Sequence, residues 1–351
     1  VQDQSTWHRG VTLDNQGSRV LGDIRGGGYI RSSNATGHGD TLYVSTNRNS
    51  RSAGEVVSYK TPIDTYGTYV GFTFSHNDMK LGKEFKQYDI TGTTNQGSVE
   101  LTKELALTES FQSRAVAGLN VKSIKKHTLG QVTSDDQLRI PYLGLNLIEK
   151  DSTGSTSFSP RLDFGTANFL GASSLNHPSA SRAGTGGAFV KFSQDVTRTQ
   201  SMPWDSYLSL RGEFQATSRT LTSSEQLQLG GEGSIRGYPE GDYLADVGGD
   251  GSVEFNCPMY LIPKDWKLPK EEGSLRNQIM PYIFADMGAG TLKKVLPGES
   301  ASKTLWSAGG GIRIHLYNSI YWNMDWAKAL GDKHNSGSGP STFHFSLQVE
   351  V

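Results

Sequence analysis

The sequence predicts an all-β fold, a transmembrane antiparallel β-barrel of about sixteen strands, and three observations lead to it. Many segments alternate apolar and polar residues with a period of two, which gives each strand one lipid-facing side and one polar side. The chain is rich in aromatic residues, with 14 Tyr, 14 Phe and 6 Trp, as the interfacial girdles of a barrel require. The turn-bounded runs number about sixteen, and an even count is typical of bacterial outer-membrane barrels.

Composition excludes several other classes of protein. The 351 residues include 34 basic and 35 acidic side chains, so the net charge of −1 offers no field that would gather nucleic acid. Cys257 is the single cysteine, which rules out a disulfide framework. No apolar run approaches the ~18 to 20 residues of a membrane helix. We therefore expect one barrel domain over residues 1–351, located in the outer membrane of a Gram-negative bacterium, with no nucleic-acid partner.

The final strands show the alternation most clearly. Phe343, Phe345, Leu347 and Val349 alternate with polar residues over a length that matches the ~9 to 11 residues of a tilted spanning strand. A soluble sandwich can also alternate, but it does not readily keep tryptophans such as Trp322 on the apolar side of segment after segment. The predicted strands cover residues 7–14, 19–31, 41–48, 55–62, 68–79, 91–106, 110–125, 138–150, 157–170, 186–201, 206–219, 251–262, 279–293, 303–316, 319–330 and 341–351.

The longest connection, residues 220–250, follows the eleventh strand and is extracellular if the first strand runs outward. It is rich in glycine and polar residues, and loops this long without secondary structure usually have a function. Its tip has the sequence IRGY and follows several glycines, which let the backbone turn back towards the wall. These residues are Ile235, Arg236, Gly237 and Tyr238 in the tip and Gly230, Gly231 and Gly233 as hinge candidates.

A second motif, FADMG, lies on the thirteenth predicted strand. Alternation puts Phe284, Asp286 and Gly288 on the lumen face. Together and in this order, the two motifs resemble those of the outer-membrane-protein-85 superfamily. That resemblance implies that the loop folds into the lumen, where the arginine of the tip meets the aspartate of the strand.

Other stretches resemble one branch of that superfamily, the TpsB transporters of two-partner secretion. They are TLDNQGSRVLGD, GHGDTLYVS and SYKTPIDTYGTYVGFTFSH near the start, and MDWAKALGD near the end. The chain differs from the branch in lacking periplasmic POTRA modules ahead of the barrel and in ending at Val351, where these barrels commonly end in an aromatic residue. We therefore expect POTRA domains upstream in a longer protein, with a naturally short barrel as the alternative.

The resemblance implies a pore that exports an unfolded partner, a TpsA-like adhesin or haemolysin, among outer-membrane lipid and lipopolysaccharide. Two alternatives remain open. An insertase that assembles other barrels shares both motifs, and a passive diffusion porin shares the alternation. A membrane-embedded enzyme is a third class, for which no catalytic cluster is visible.

Catalytic, metal and cofactor sites are not predicted. Asp246, Asp250 and Glu254 bracket a glycine-rich stretch that does not match the spacing of an EF-hand. Ser234 lies in GSIRG, which lacks the pattern of a nucleophile elbow. The histidines are scattered without metal-ligand spacing.

Overall fold

The computed structural model describes residues 6–269, 271, 273–332 and 341–351. Within them, sixteen antiparallel strands close into a barrel, and two further short strands pair as a separate hairpin. The predicted barrel is thereby confirmed. The strands are β1 Trp7–Asp14, β2 Arg25–Ser32, β3 Thr41–Arg48, β4 Ser52–Pro62, β5 Thr68–Lys80, β6 Thr91–Leu107, β7 Phe111–Thr128, β8 Gln131–Asp151, β9 Gly154–Gly165, β10 Phe189–Ser201, β11 Tyr207–Thr217, β12 Leu227–Leu229, β13 Tyr243–Ala245, β14 Val247–Asn256, β15 Ile279–Thr291, β16 Ser302–Leu316, β17 Ile320–Ala329 and β18 Ser341–Glu350.

Strand β15 shows how alternation in the sequence divides the residues of a strand between the inner and the outer surface of the barrel. From Tyr282 to Thr291 its residues alternate without exception between buried and exposed. Ile283 and Met287 are 65% and 61% exposed, whereas Phe284 and Asp286 are 5% and 2% exposed. Because successive side chains point to opposite faces of a strand, the exposed apolar set forms the outer surface and the buried set faces inward.

The barrel closes where β1 pairs with β18, in a register that runs from Gly10 opposite Glu350 to Asp14 opposite Ser346. The backbone of Arg9 also exchanges two hydrogen bonds with Val351, of 3.3 and 2.8 Å. Both ends of the barrel therefore lie at the same rim. Among the described residues, no helix is long and apolar enough to cross a membrane. The short helix α1, Leu275–Gln278, lies in the connection between β14 and β15.

Connections alternate between two rims. The loop rim carries the long connections after β9 and β11. The turn rim carries mostly short turns and one long connection, between β14 and β15. One prediction was wrong here, because the strand placed at 251–262 begins at Val247 and ends at Asn256. Pro258 follows within two residues, and proline cannot donate to a strand ladder. The connection predicted at 220–250 accordingly spans residues 218–246 and contains β12 and β13.

Several other strand ends were also misplaced. Strand β2 begins at Arg25, six residues after the predicted start, and β9 ends at Gly165, before a short 3-10 turn at Phe169–Gly171. Strand β8 begins at Gln131, seven residues before the prediction. Polar residues occupy that early part of β8, so its length could not be read from apolar alternation.

Candidate functional site

The connection between β11 and β14, called the long loop below, is a folded unit with its own core. Strands β12 and β13, which have three residues each, pair antiparallel within the loop. Their apolar side chains cluster with Ile235 and Tyr238 of the tip and with Leu305, which belongs to β16 of the wall. Burial of such side chains contributes roughly 1.5 to 3 kcal/mol each. The loop thus packs against the barrel wall through apolar contacts as well as polar ones.

Arg236 is the central polar residue of the tip. Its backbone N–H and its Nε both donate to Asp286 Oδ2, at 3.0 and 2.9 Å, and its Nη2 donates to Asp286 Oδ1 at 2.8 Å. The side chains of Arg236 and Asp286 are 8% and 0% exposed. A bidentate guanidinium–carboxylate pair fixes direction as well as distance, so the contact orients the tip.

Two further side chains of β14 complete the contacts of the guanidinium. Nη1 donates to Glu254 Oε2 at 3.0 Å, and Nη2 donates to the Ser252 hydroxyl at 3.0 Å. Ser252 in turn donates to Asp286 Oδ1 at 2.6 Å. Strand register explains the grouping, since Ser252 lies opposite Asp286 and Glu254 lies opposite Phe284 on β15. We call Arg236, Asp286, Glu254 and Ser252 the tip cluster.

Aromatic rings support the same cations. The guanidinium carbon of Arg236 lies 3.3 Å from the ring centroid of Phe284. Arg313 of β16 also pairs with Glu254, and its guanidinium carbon lies 4.1 Å from the ring centroid of Tyr282. Glu254 is therefore shared by two arginines, each stacked on an aromatic ring of β15. Cation–π contacts of this kind strengthen when water is excluded.

The next two tip residues contact β18 and the residues that follow β17. The carbonyl of Gly237 accepts a 3.3 Å hydrogen bond from Thr342 Oγ1, and the hydroxyl of Tyr238 accepts a 2.9 Å hydrogen bond from the Gly331 N–H. Gly237 has a φ of +92°, and an added Cβ would lie 2.9 Å from the backbone N of Ala329. Only glycine suits this left-handed conformation and close approach.

The remaining predicted glycines differ from one another. Gly230 and Gly231 have φ values of +103° and +101°, as turns at this point require. Gly288, opposite the tip on β15, would place a Cβ 2.6 Å from Ile235 Cδ1. Gly233, by contrast, has no atom within 4 Å of a built Cβ and does not adopt a positive φ. The geometry therefore gives Gly230, Gly231 and Gly288 a steric reason and gives Gly233 none.

Burial and neighbouring charges shift the pKa values of two ionisable groups of the loop, Arg236 and Glu232. Burial alone would lower the pKa of Arg236, but Asp286 and Glu254 outweigh it and raise that pKa above the ordinary value. Burial, with a smaller contribution from Asp325, raises the pKa of Glu232. The cluster thus keeps its arginine charged, while the neighbouring loop carboxyl is stabilised in its neutral form.

The three carboxylates that bracket the glycine-rich stretch do not share a cation. Asp246 Oδ2 accepts a hydrogen bond from Arg182, Asp250 lies 2.8 Å from Arg211, and Glu254 belongs to the tip cluster. Among the described residues, no group of three His, Cys, Asp or Glu side chains could hold a metal ion. Sequence reasoning placed Glu254 on the polar face of its strand but missed its contact with Arg236, which depends on strand register.

A closed sixteen-strand barrel with an apolar outer surface and a polar interior defines the class: this is a transmembrane β-barrel of the Gram-negative outer membrane. The family model described as haemolysin secretion/activation protein ShlB/FhaC/HecB matches residues 1–314. The chain belongs to that family, as the resemblance of its opening strands to two-partner secretion transporters predicted.

Relatives and solved structures agree with this assignment. The heme/hemopexin transporter protein HuxB of Haemophilus influenzae is 26% identical over 96% of this chain, and the outer membrane transporter CdiB of Dickeya dadantii is 25% identical over 87%. The structure of CdiB from Escherichia coli is similar over 100% of this chain and 64% of that chain, with a TM-score of 0.82 and 19% identity.

BamA from Haemophilus ducreyi shares the fold more distantly. The match has a TM-score of 0.66 and 13% identity and covers 99% of this chain and 71% of the BamA chain. The present chain spans 59% of the length of HuxB and 53% of that of CdiB.

Proposed function

We propose that this chain forms the pore of a two-partner secretion system and exports an unfolded partner protein across the outer membrane. Family membership supports the proposal, as do the names of HuxB and CdiB, both of which are called transporters. The observation that carries it is the docked tip of the long loop, held by Arg236 and Asp286 against the inner wall. We infer that the loop obstructs the lumen at rest and yields reversibly to a client.

The client in this proposal is a secreted adhesin-like or haemolysin-like protein, and the remaining length of the relatives accommodates POTRA modules that would capture it. The tip then acts as a plug rather than a catalyst. Folding of the client outside the cell supplies the driving force.

Secretion tests the proposal directly. The protein, with its full native sequence, is expressed in a bacterial host together with a candidate client, an adhesin-like or haemolysin-like protein, and the culture medium is assayed for that client. We expect export in the presence of the barrel protein and none in its absence. Export that is independent of the barrel protein would overturn the proposal.

Two reconstituted assays separate the alternatives. A barrel-assembly insertase would accelerate membrane integration of a urea-unfolded, unrelated porin into vesicles, whereas a secretion pore would not. A passive porin would give large, steady conductance in planar bilayers that is unchanged by Asp286→Asn. The docked tip favours an obstructed pore with low resting conductance over a permanently open one.

A further inference from the structure

A second buried ionic group holds the long loop at a different place. Glu225 lies where the loop leaves β11, and its side chain is 3% exposed. Its Oε1 accepts a hydrogen bond from Lys122 Nζ at 2.6 Å, and its Oε2 accepts one from Lys191 Nζ at 2.7 Å. The two ammonium groups are themselves largely buried, at 17% and 12% exposure. We call Glu225, Lys122 and Lys191 the base cluster.

The base cluster uses other parts of the wall than the tip cluster does. Lys122 belongs to β7 and Lys191 to β10, whereas Asp286 and Glu254 belong to β15 and β14. In the barrel order, β8, β9, β10, β11 and β14 separate β7 from β15. The polarity is also reversed, because the loop supplies the carboxylate at the base and the cation at the tip. No residue is shared between the two clusters, so each can be altered separately.

Hydrogen bonds between side chains and the backbone join the two ends of the loop near the base cluster. Gln215 Nε2 donates to the carbonyls of Glu225 and Asp246, at 3.2 and 3.3 Å, and so links the two ends of the loop. Asp246 Oδ1 accepts a hydrogen bond from the Leu221 N–H at 3.0 Å, and Oδ2 accepts one from the Lys293 N–H at 2.8 Å. The start and the end of the loop are therefore tied to each other and to the wall.

Charge balance at Glu225 supports a functional ion pair. Burial alone would raise the pKa of this carboxyl, but Lys191 and Lys122 outweigh burial and lower the pKa below its ordinary value. Removing the carboxylate leaves two largely buried ammonium groups uncompensated, which is costly. The base of the loop is thus held by charge as well as by its hydrogen bonds.

We propose that Glu225, through Lys122 and Lys191, is a positioning residue that fixes the base of the long loop, so that pore opening moves the tip about a stationary base. The proposal rests on the proposed function for its role in gating, but its structural claim does not. When the tip cluster breaks, the base stays in place. When the base cluster breaks, the base itself shifts.

Pulsed electron paramagnetic resonance measures both movements without any client. A Cys257→Ser background carries a spin label at Val57→Cys on the outer surface as reference. The second label is placed either at Ser224→Cys, which is exposed beside Glu225, or at Gly233→Cys, which is exposed beside the tip and has no crowding neighbour. Each pair is measured in unaltered, Asp286→Asn and Glu225→Gln proteins purified from outer membranes.

We expect Asp286→Asn to replace the single narrow distance to position 233 by a broad distribution while the distance to position 224 stays narrow. Glu225→Gln should remove the narrow distance to position 224. The proposal is overturned if Asp286→Asn broadens both distances or if Glu225→Gln leaves position 224 unchanged. Failure of secretion in any variant bears on the proposed function and not on these distances.

Two additional variants complete the experiment, one as a control and one as a substitute for Glu225→Gln. Glu55→Gln removes a carboxylate from an exposed pair with Arg48, 3.6 Å apart, and should leave both distances unchanged. If Glu225→Gln loses the heat-modifiable band of a folded barrel, Lys122→Met replaces it, because Lys191 still pairs with Glu225. That variant keeps the contact with β10 but removes the one with β7, so it should broaden the distance to position 224, and an unchanged distance would overturn the proposal.

Discussion

The carboxylate of Asp286 accepts three hydrogen bonds from Arg236, one from the backbone N–H and two from the guanidinium. The backbone bond ties the position of the chain, and the two side-chain bonds tie its orientation. A single residue of the wall thereby holds both the main chain and the side chain of the loop tip. Loss of the Asp286 charge should accordingly have a larger effect than loss of any other single partner.

We predict that Asp286→Asn destabilises the docked tip by about 3 kcal/mol, because it leaves the buried guanidinium with one carboxylate partner fewer. Single-channel recordings in planar bilayers should show more frequent and longer openings than in the unaltered protein. The exposed-pair variant Glu55→Gln serves as the matched control and should behave as the unaltered protein does. Identical recordings for Asp286→Asn and Glu55→Gln would contradict a pinning role.

Phe284→Leu tests the contribution of the aromatic ring. The guanidinium carbon of Arg236 lies 3.3 Å from the ring centroid, and a desolvated cation–π contact is worth about 1 to 2 kcal/mol. Leucine keeps an apolar side chain at this position, so the barrel should fold and the ion pairs should remain. We expect an increase in channel openings that is smaller than that of Asp286→Asn. A larger effect than that of Asp286→Asn would show that packing rather than charge holds the tip.

The sequence predicted one contact of the tip cluster and missed another. Arg236 and Asp286 could be paired because each stands in a short motif that resembles one of the outer-membrane-protein-85 superfamily, and that resemblance needs no knowledge of strand register. The contact of Arg236 with Glu254 could not, since it depends on Glu254 lying opposite Phe284 across β14 and β15. The predicted connection between those strands was shorter than the observed one, so their register could not be predicted.

Short elements and single backbone angles were equally out of reach. Strands β12 and β13 have three residues each, too few for a period-two pattern to stand out. The glycines of the loop looked alike in the sequence, although Gly237 requires a positive φ and Gly233 does not. By contrast, β18 was placed to within a residue because its outward face is apolar along its length.

Glycine substitutions in the loop provide a steric test with an internal control. Gly237→Ala forces an alanine into a φ of +92° with its Cβ 2.9 Å from the Ala329 backbone, so it should undock the tip. Gly233→Ala places its Cβ in open space at an ordinary φ and should have little effect. The measurement is the rate at which a protease cleaves the loop in intact outer membranes. Equal cleavage of both variants would argue against a tightly seated tip.

The pH dependence of loop docking follows from Glu232. Burial raises the pKa of this carboxyl above its ordinary 4.5 in the docked state, with Asp325 adding to the rise and His344 and Arg236 opposing it. A raised pKa means that the docked state takes up a proton more readily than the undocked state. Its stabilising contribution is therefore complete below the ordinary value and is lost as pH rises through the raised value.

Channel recordings should consequently show fewer openings as the pH falls through the raised pKa of Glu232 towards the ordinary 4.5, since protonation of Glu232 then favours the docked loop. Glu232→Gln mimics the neutral form. Channels of this variant should open rarely at every pH measured, with the pH dependence removed. Glu225 cannot produce this trend, because its pKa is lowered and its contribution is lost only as pH falls below the ordinary 4.5. A pH dependence that survives in Glu232→Gln would assign the effect to another group of the lumen.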